Sequence, residues 1–245
     1  MGSDQFDALA KVIEASAETP IRKYFEEFTF FNALGHISGR SVLDVACGSG
    51  LYTRRFKRRG AGRVVGLDVS KGMIEYARKV EREDPLGIEY VVQDAAAAGK
   101  LGTFDIVTAT YLLHYASSKE QMHAMCATLR SALAPGGLLA SICMSPGIQL
   151  TQPEYYRRYG LEVQGGVQDG DEALLISTSP GAEFTITVYH WKKATYEAAL
   201  QAAGFRDIVW FKPEIAPEGM TTLGEEYWQA YLQHPHADVF TCRAA

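Results

Sequence analysis

The chain has 245 residues, 47% of them hydrophobic and 11% aromatic, enough to bury a substantial core within one domain. Its net charge of -5 excludes broad electrostatic attraction to nucleic-acid phosphates or anionic membranes, so neither is expected as a partner. Cys47, Cys126, Cys143 and Cys242 form no C-x-x-C pair, no stretch approaches the roughly 18 apolar residues of a membrane span, and Asp4 and Asp7 stand where a secretion signal would be cationic; a reducing cytoplasm is the expected setting.

Residues 4–35 read as two helices, one around Asp4–Ser16 and one around Ile21–Leu34, with Pro20 suited to a helix first turn. From Ser41 to Met144 apolar runs alternate with amphipathic stretches, the pattern of a parallel sheet covered on both faces. The predicted strands are Ser41–Val45, Arg63–Leu67, Ile88–Val92, Phe104–Thr110 and Leu138–Met144. Between them Leu51–Arg58, Lys71–Glu81 and Lys119–Leu133 have helical spacing, with Ser70 placed to cap the second and Gly136-Gly137 to stop the third. Gln149–Glu183 is rich in Tyr, Gly and Gln, and carries turn signals at Gly165-Gly166 and Asp169-Gly170-Asp171. Phe184–Trp191 then alternates as a strand, Lys193–Ala203 reads as a helix, and Ile208–Phe211 as a final strand.

The most informative segment is Val42-Leu43-Asp44-Val45-Ala46-Cys47-Gly48-Ser49-Gly50, a buried strand running into a Gly-rich turn, followed by Asp68 at the end of the next apolar run. Glycines let the backbone approach a ligand where a Cβ would collide, and a carboxylate on the second strand can accept from both ribose hydroxyls, so the pair marks a nucleoside-containing cofactor. A dinucleotide fingerprint needs a third glycine where Thr53 stands, which weakens a nicotinamide reading. Arg54, Arg55, Lys57, Arg58 and Arg59 follow at helical spacing and read as a solvated face rather than an RNA contact.

The loop resembles motif I of the class I S-adenosylmethionine-dependent methyltransferases. Asp68, Ser70-Lys71-Gly72-Met73, Gln93-Asp94-Ala95 and Leu133-Ala134-Pro135-Gly136-Gly137 fall in register with it across about 100 residues. The resemblance implies an α/β fold: a Rossmann-like, doubly wound, seven-stranded sheet, mostly parallel with an antiparallel last strand. It also implies a single domain: an N-terminal helical lid (1–40), a cofactor-binding core (41–144), a substrate-side insertion and strand (145–192), and a C-terminal helix, strand and tail (193–245). The cofactor would be S-adenosyl-L-methionine, leaving S-adenosyl-L-homocysteine, with no metal.

For the cofactor the resemblance implies Ala46, Gly48 and Gly50 near its amino-acid portion and ribose, Asp68 on the ribose, Val69 and Met73 beside adenine, and Asp94 and Ala95 on the adenine edge. Thr110 and, on the lid, Tyr24 complete the set. Asp44 serves either the ammonium group or the loop amides. His114 is either a general base or a structural histidine, since its ordinary pKa lies near working pH. Tyr111, Tyr115, Tyr155, Tyr156 and Trp191 are candidates for the acceptor pocket, with core packing the competing account for each.

Among such enzymes, Pro20-Ile21-Arg22-Lys23-Tyr24 and Phe184–Trp191 resemble the azapteridine N-methyltransferases of bacterial secondary metabolism. That implies methylation of a heteroaromatic ring nitrogen in a small-molecule acceptor. A small-molecule O-methyltransferase shares every cofactor motif and stays open, as do a nucleotide-dependent oxidoreductase and a non-catalytic partner of this fold.

Overall fold

The computed structural model describes residues 9–245, apart from the side chains of residues 96, 97 and 153; residues 4–8 of the first predicted helix lie outside them. Strand β1 (Val42–Val45) is buried at every position, as a parallel strand covered on both faces must be. It pairs parallel with β2 (Val64–Asp68) on one side and β4 (Phe104–Thr110) on the other, Val42 lying opposite both Val64 and Ile106. Outside these lie β3 (Glu89–Val92) and β5 (Leu133–Met144), and then β9 (Phe205–Phe211) and β10 (Ala237–Ala244). The order is β3-β2-β1-β4-β5-β10-β9. β10 runs antiparallel to both of its neighbours, so the expected seven-stranded sheet with an antiparallel last strand is present. Because the chain leaves β1 toward β2 and later returns to β4 on the opposite side, a crevice opens at the carboxyl ends of these strands, where such sheets bind ligands.

Helices cover both faces. On one pack α1 (Ala10–Ser16), α2 (Glu27–Leu34), α3 (Leu51–Arg58) and α4 (Lys71–Glu83), with Phe30, Phe56 and Ile74 in the shared core. On the other pack α5 (Lys119–Ser131) and α6 (Lys193–Ala202), burying Met122, Leu129, Tyr196 and Leu200. The Ser70 hydroxyl accepts from the Met73 N–H at 3.1 Å, an N-cap of the kind worth about 1 kcal/mol.

Four regions depart from the sequence reading. Ile21–Leu34 is not one α-helix: Ile21–Glu26 forms a π-helix, in which the Glu27 N–H reaches five residues back to the Arg22 carbonyl, and α2 follows it. The insertion holds three strands rather than one, β6 (Leu161–Gly165), β7 (Glu172–Ser177) and β8 (Phe184–Tyr189), in a separate antiparallel sheet. Of its turn signals, Asp169-Gly170-Asp171 lies between β6 and β7, whereas Gly165 closes β6, paired with Ala173. The C-terminal tail contains α7 (Pro217–Leu223), α8 (Glu225–Gln233) and β10, whose Trp228, Tyr231 and Phe240 are fully buried. Strand β5 starts at Leu133 rather than Leu138, pairing with Phe104 through an irregular register before the regular ladder from Ile106 onward.

Candidate active site

The crevice is a cavity bordered by the turn after β1, the ends of β2 and β4, α1, the π-helix and the small sheet. Ala46 and Tyr111, the first residues beyond β1 and β4, both have left-handed backbone angles, φ 59° and 61°. Such angles are unfavourable for any side chain and a marked outlier for an aromatic, and they cluster at functional sites. Gly48 is also left-handed, and among the described residues a Cβ built there would have only Met73 Sδ within reach, at 4.0 Å, at the cavity the loop borders. Gly50 differs: its Cβ would lie 2.5 Å from the Tyr90 hydroxyl, and it does not line the cavity.

Asp68 lies at the cavity with one carboxylate oxygen accepting from the Gly48 N–H and the other from the Ser70 N–H, both at 2.8 Å. These bonds fix its plane against the glycine turn. Asp44 sits below the turn, accepting from the hydroxyls of Thr53 at 2.7 Å and Thr108 at 2.8 Å. Burial pushes its carboxyl up to about 6; the two hydroxyl bonds work against that and the charge of Asp68 adds to it.

α1 is latched to the turn. Glu14 accepts from the Ser49 hydroxyl at 2.6 Å, and both its oxygens accept from Arg54 Nη2 at 2.6 and 2.7 Å. Arg54 is therefore buried, contrary to the solvated face expected of it. The other basic residues of α3 and its C-cap Arg59 are also taken up by nearby groups: Arg55 and Arg59 pair with Glu27, Arg58 with Asp84, and Lys57 donates to the Gly62 carbonyl.

A second set of polar groups borders the same cavity: Arg22 and Glu26 of the π-helix, Tyr52 of α3, Tyr111, and His236 just before β10. Tyr231 is 2.6 Å from His236 Nδ1, while His236 Nε2 is 3.3 Å from Glu26 Oε1 and 3.3 Å from the Tyr111 hydroxyl. Burial alone would raise the Glu26 carboxyl, but the Arg22 charge and the contacts from His236 and Tyr111 outweigh it and hold it below the usual range. The small sheet lines the cavity with Leu161, Leu175, Phe184 and Ile186, joined by Ser177 and, just beyond β7, Ser179.

Of the residues singled out from sequence, the structure gathers Ala46, Gly48, Asp68, Val69, Met73, Thr110, Tyr111, His114 and Tyr115 around this cavity. It sets others apart. Tyr24 points away from Arg22 and Glu26, toward Trp228 edge-on, with its hydroxyl 3.3 Å from Glu218. Tyr155 donates to the Ala230 carbonyl, and Tyr156 is fully buried, accepting from the Gln149 N–H at 2.9 Å. Trp191 lies in the core of the opposite sheet face, donating to the Ala116 carbonyl at 2.9 Å. Asp94 is exposed where a 3-10 turn starts at Ala95, and neither lines the cavity. His114 accepts from the Met144 N–H at Nδ1, 3.2 Å away, and burial, with the nearby His236, drops its pKa to about 3. Its proton then sits on Nε2, which makes it a hydrogen-bond donor and a poor base.

Arg22, Glu26, Tyr52 and His236 were not anticipated as site residues. A methyltransferase domain model matches residues 42–137. The chain is also 31% identical over 176 residues to an N-demethylindolmycin N-methyltransferase of Streptomyces griseus, covering 68% of this chain and 70% of that one. The chain belongs to the methyltransferase family. As a methyltransferase it is an enzyme, of the class I S-adenosylmethionine-dependent kind. A shorter match, 33% over 110 residues, joins it to a ubiquinone biosynthesis O-methyltransferase of Burkholderia orbicola, of which it spans 46%. Its fold is that of an S-adenosylmethionine-dependent methyltransferase from Mesorhizobium loti, at a TM-score of 0.62 and 21% identity over 92% of this chain and 98% of that one.

Proposed function

We propose that this methyltransferase transfers a methyl group from S-adenosylmethionine to a ring nitrogen of a small heteroaromatic acceptor, of the azapteridine kind from which toxoflavin is made. The make-up of one cavity carries this reading: a glycine turn with a carboxylate at the strand ends, and a separate polar cluster together with a mainly apolar small sheet. The residues fit the cofactor, because Gly48 leaves room a Cβ would fill and Asp68 is aimed at the cavity with its plane already fixed.

When bound, S-adenosylmethionine supplies an electrophilic methyl on sulfur, with a neutral thioether as leaving group. Asp68 would accept from the ribose hydroxyls, with Val69 and Met73 beside adenine; Asp94 and Ala95, outside the cavity lining, would reach the adenine edge only if the segment after β3 closes on the bound cofactor. Ala46 and Gly48 line the amino-acid portion, while Asp44 holds the turn from beneath. Thr110, Tyr111 and Tyr115, leaving β4, border the space where methyl and acceptor meet. The protein's work is alignment and exclusion of water rather than strong base catalysis.

The deciding experiment supplies deuterated-methyl cofactor with desmethyl azapteridines and, in parallel, hydroxylated aromatic acceptors, and follows products by mass spectrometry. Label on an azapteridine nitrogen is expected. Label confined to hydroxyl oxygens would replace this reading with the O-methyltransferase one. Thermal protection by NAD and not by S-adenosylhomocysteine would end both.

A further inference from the structure

Arg22 and Glu26 share a face of the π-helix and both border the cavity, yet they do not close on each other. Arg22 Nε stands 3.9 Å from Glu26 Oε2, too far for a hydrogen bond. Glu26 is 2% exposed, and among the described residues its Oε2 has no hydrogen-bond partner. The other oxygen is 3.3 Å from His236 Nε2, which also lies 3.3 Å from the Tyr111 hydroxyl; in the tautomer whose Nδ1 accepts from Tyr231, the Nε2 proton faces this pair. Buried carboxylate oxygens are costly to leave unmatched, and this one is kept in place by a chain of groups behind it. The Tyr52 hydroxyl, of a residue bordering the same cavity, is also buried and has no partner among the described residues.

Side by side, an unfilled acceptor and a fork of guanidinium donors are the complement of a planar edge that carries an N–H next to a carbonyl or ring nitrogen. Across the cavity, Leu175, Phe184 and Ile186 offer an apolar face to a flat ring. Resting on the methyltransferase reading above, we propose that Glu26 and Arg22 recognise the acceptor, and that the acceptor is a flat heterocycle with a lactam-type edge. Its N–H donates to Glu26 Oε2, and the adjoining carbonyl or ring nitrogen accepts from Arg22. Glu26→Gln would set an amide N–H where Oε2 now stands, turning the acceptor into a donor while conserving shape.

The test is calorimetric, on protein saturated with S-adenosylhomocysteine, using pteridine-2,4-dione and its 1,3-dimethyl derivative, which lacks the lactam N–H groups. The unsubstituted ring is expected to bind the native enzyme about tenfold tighter or more. Glu26→Gln should bring the two rings to about equal affinity and leave S-adenosylhomocysteine affinity unchanged. Equal affinity of both rings for the native enzyme, including no binding of either, overturns the proposal. So does a Glu26→Gln protein that keeps the discrimination or loses cofactor affinity instead. If that variant does not fold, the native comparison decides alone. Failure of S-adenosylhomocysteine itself to bind would instead sink the methyltransferase reading.

Discussion

Gly48 and Gly50 stand two positions apart in one motif and answer to different neighbours. Gly48→Val places a branched side chain in the cavity and forces a left-handed φ of 55° on a residue that resists it. Calorimetry should show S-adenosylhomocysteine affinity reduced more than tenfold. Gly50→Ala collides with Tyr90, so its cost should appear in the melting temperature. Asp68→Ala is expected to weaken cofactor binding more than tenfold, since hydrogen bonds to a charged group are worth about 1.5–3 kcal/mol each. These positions were legible because motif spacing writes a strand, a turn and the next strand's end into about 30 consecutive letters. Glu26 and His236 were not, because they are far apart in sequence and only the folded sheet brings them within 3.3 Å. His114 was legible as a cavity residue, but its environment alters its chemistry. Its pKa falls from 6.5 to about 3, so below pH 6.5 the unfolded chain takes up a proton that the native protein refuses. The stability His114 contributes is complete above pH 6.5 and is lost as pH falls toward 3, at up to about 1.4 kcal/mol per pH unit. His114→Asn, whose carbonyl can replace Nδ1 at Met144, should flatten the urea-midpoint slope between pH 6.5 and 5. It should also retain methyl transfer within about tenfold, whereas a loss of several hundredfold would restore the histidine as a base.

Among the elements, α1 is tied to the glycine turn chiefly by Glu14, which serves Ser49 and Arg54 together. Glu14→Ala leaves the buried Arg54 charge unpaired, a change of the costly kind. A lower melting temperature and faster release of S-adenosylhomocysteine in stopped-flow fluorescence are expected; unchanged release would mean that α1 does not govern cofactor exchange. The strands of the core were readable because parallel strands buried on both faces are continuous apolar runs. β6 and β7 were not: Glu162, Gln164 and Glu172 break the pattern, and the sheet they form has one face toward the cavity and one toward solvent. The π-helix was hidden for another reason. Its composition is that of an ordinary helix, and only the hydrogen bond from Glu27 to Arg22 reveals the extra residue in the turn.

At the scale of the whole molecule, two packed faces enclose one sheet, and the site is completed by segments from both ends of the chain. The general architecture was legible from the alternation of strands and helices, whereas the segment supplying the antiparallel strand was not. Ala237–Ala244 gives no strand signal from spacing with its neighbours, because its partners, β5 and β9, are set by topology. That placement bears on how the protein is made. A nascent chain emerging from a ribosome presents β5 and β9 before the piece that belongs between them exists, so two unsatisfied ladders wait, side by side, for their wedge. Cutting the gene before codon 237 should therefore yield insoluble aggregate instead of a smaller enzyme, even though the glycine turn and Asp68 would both have been translated.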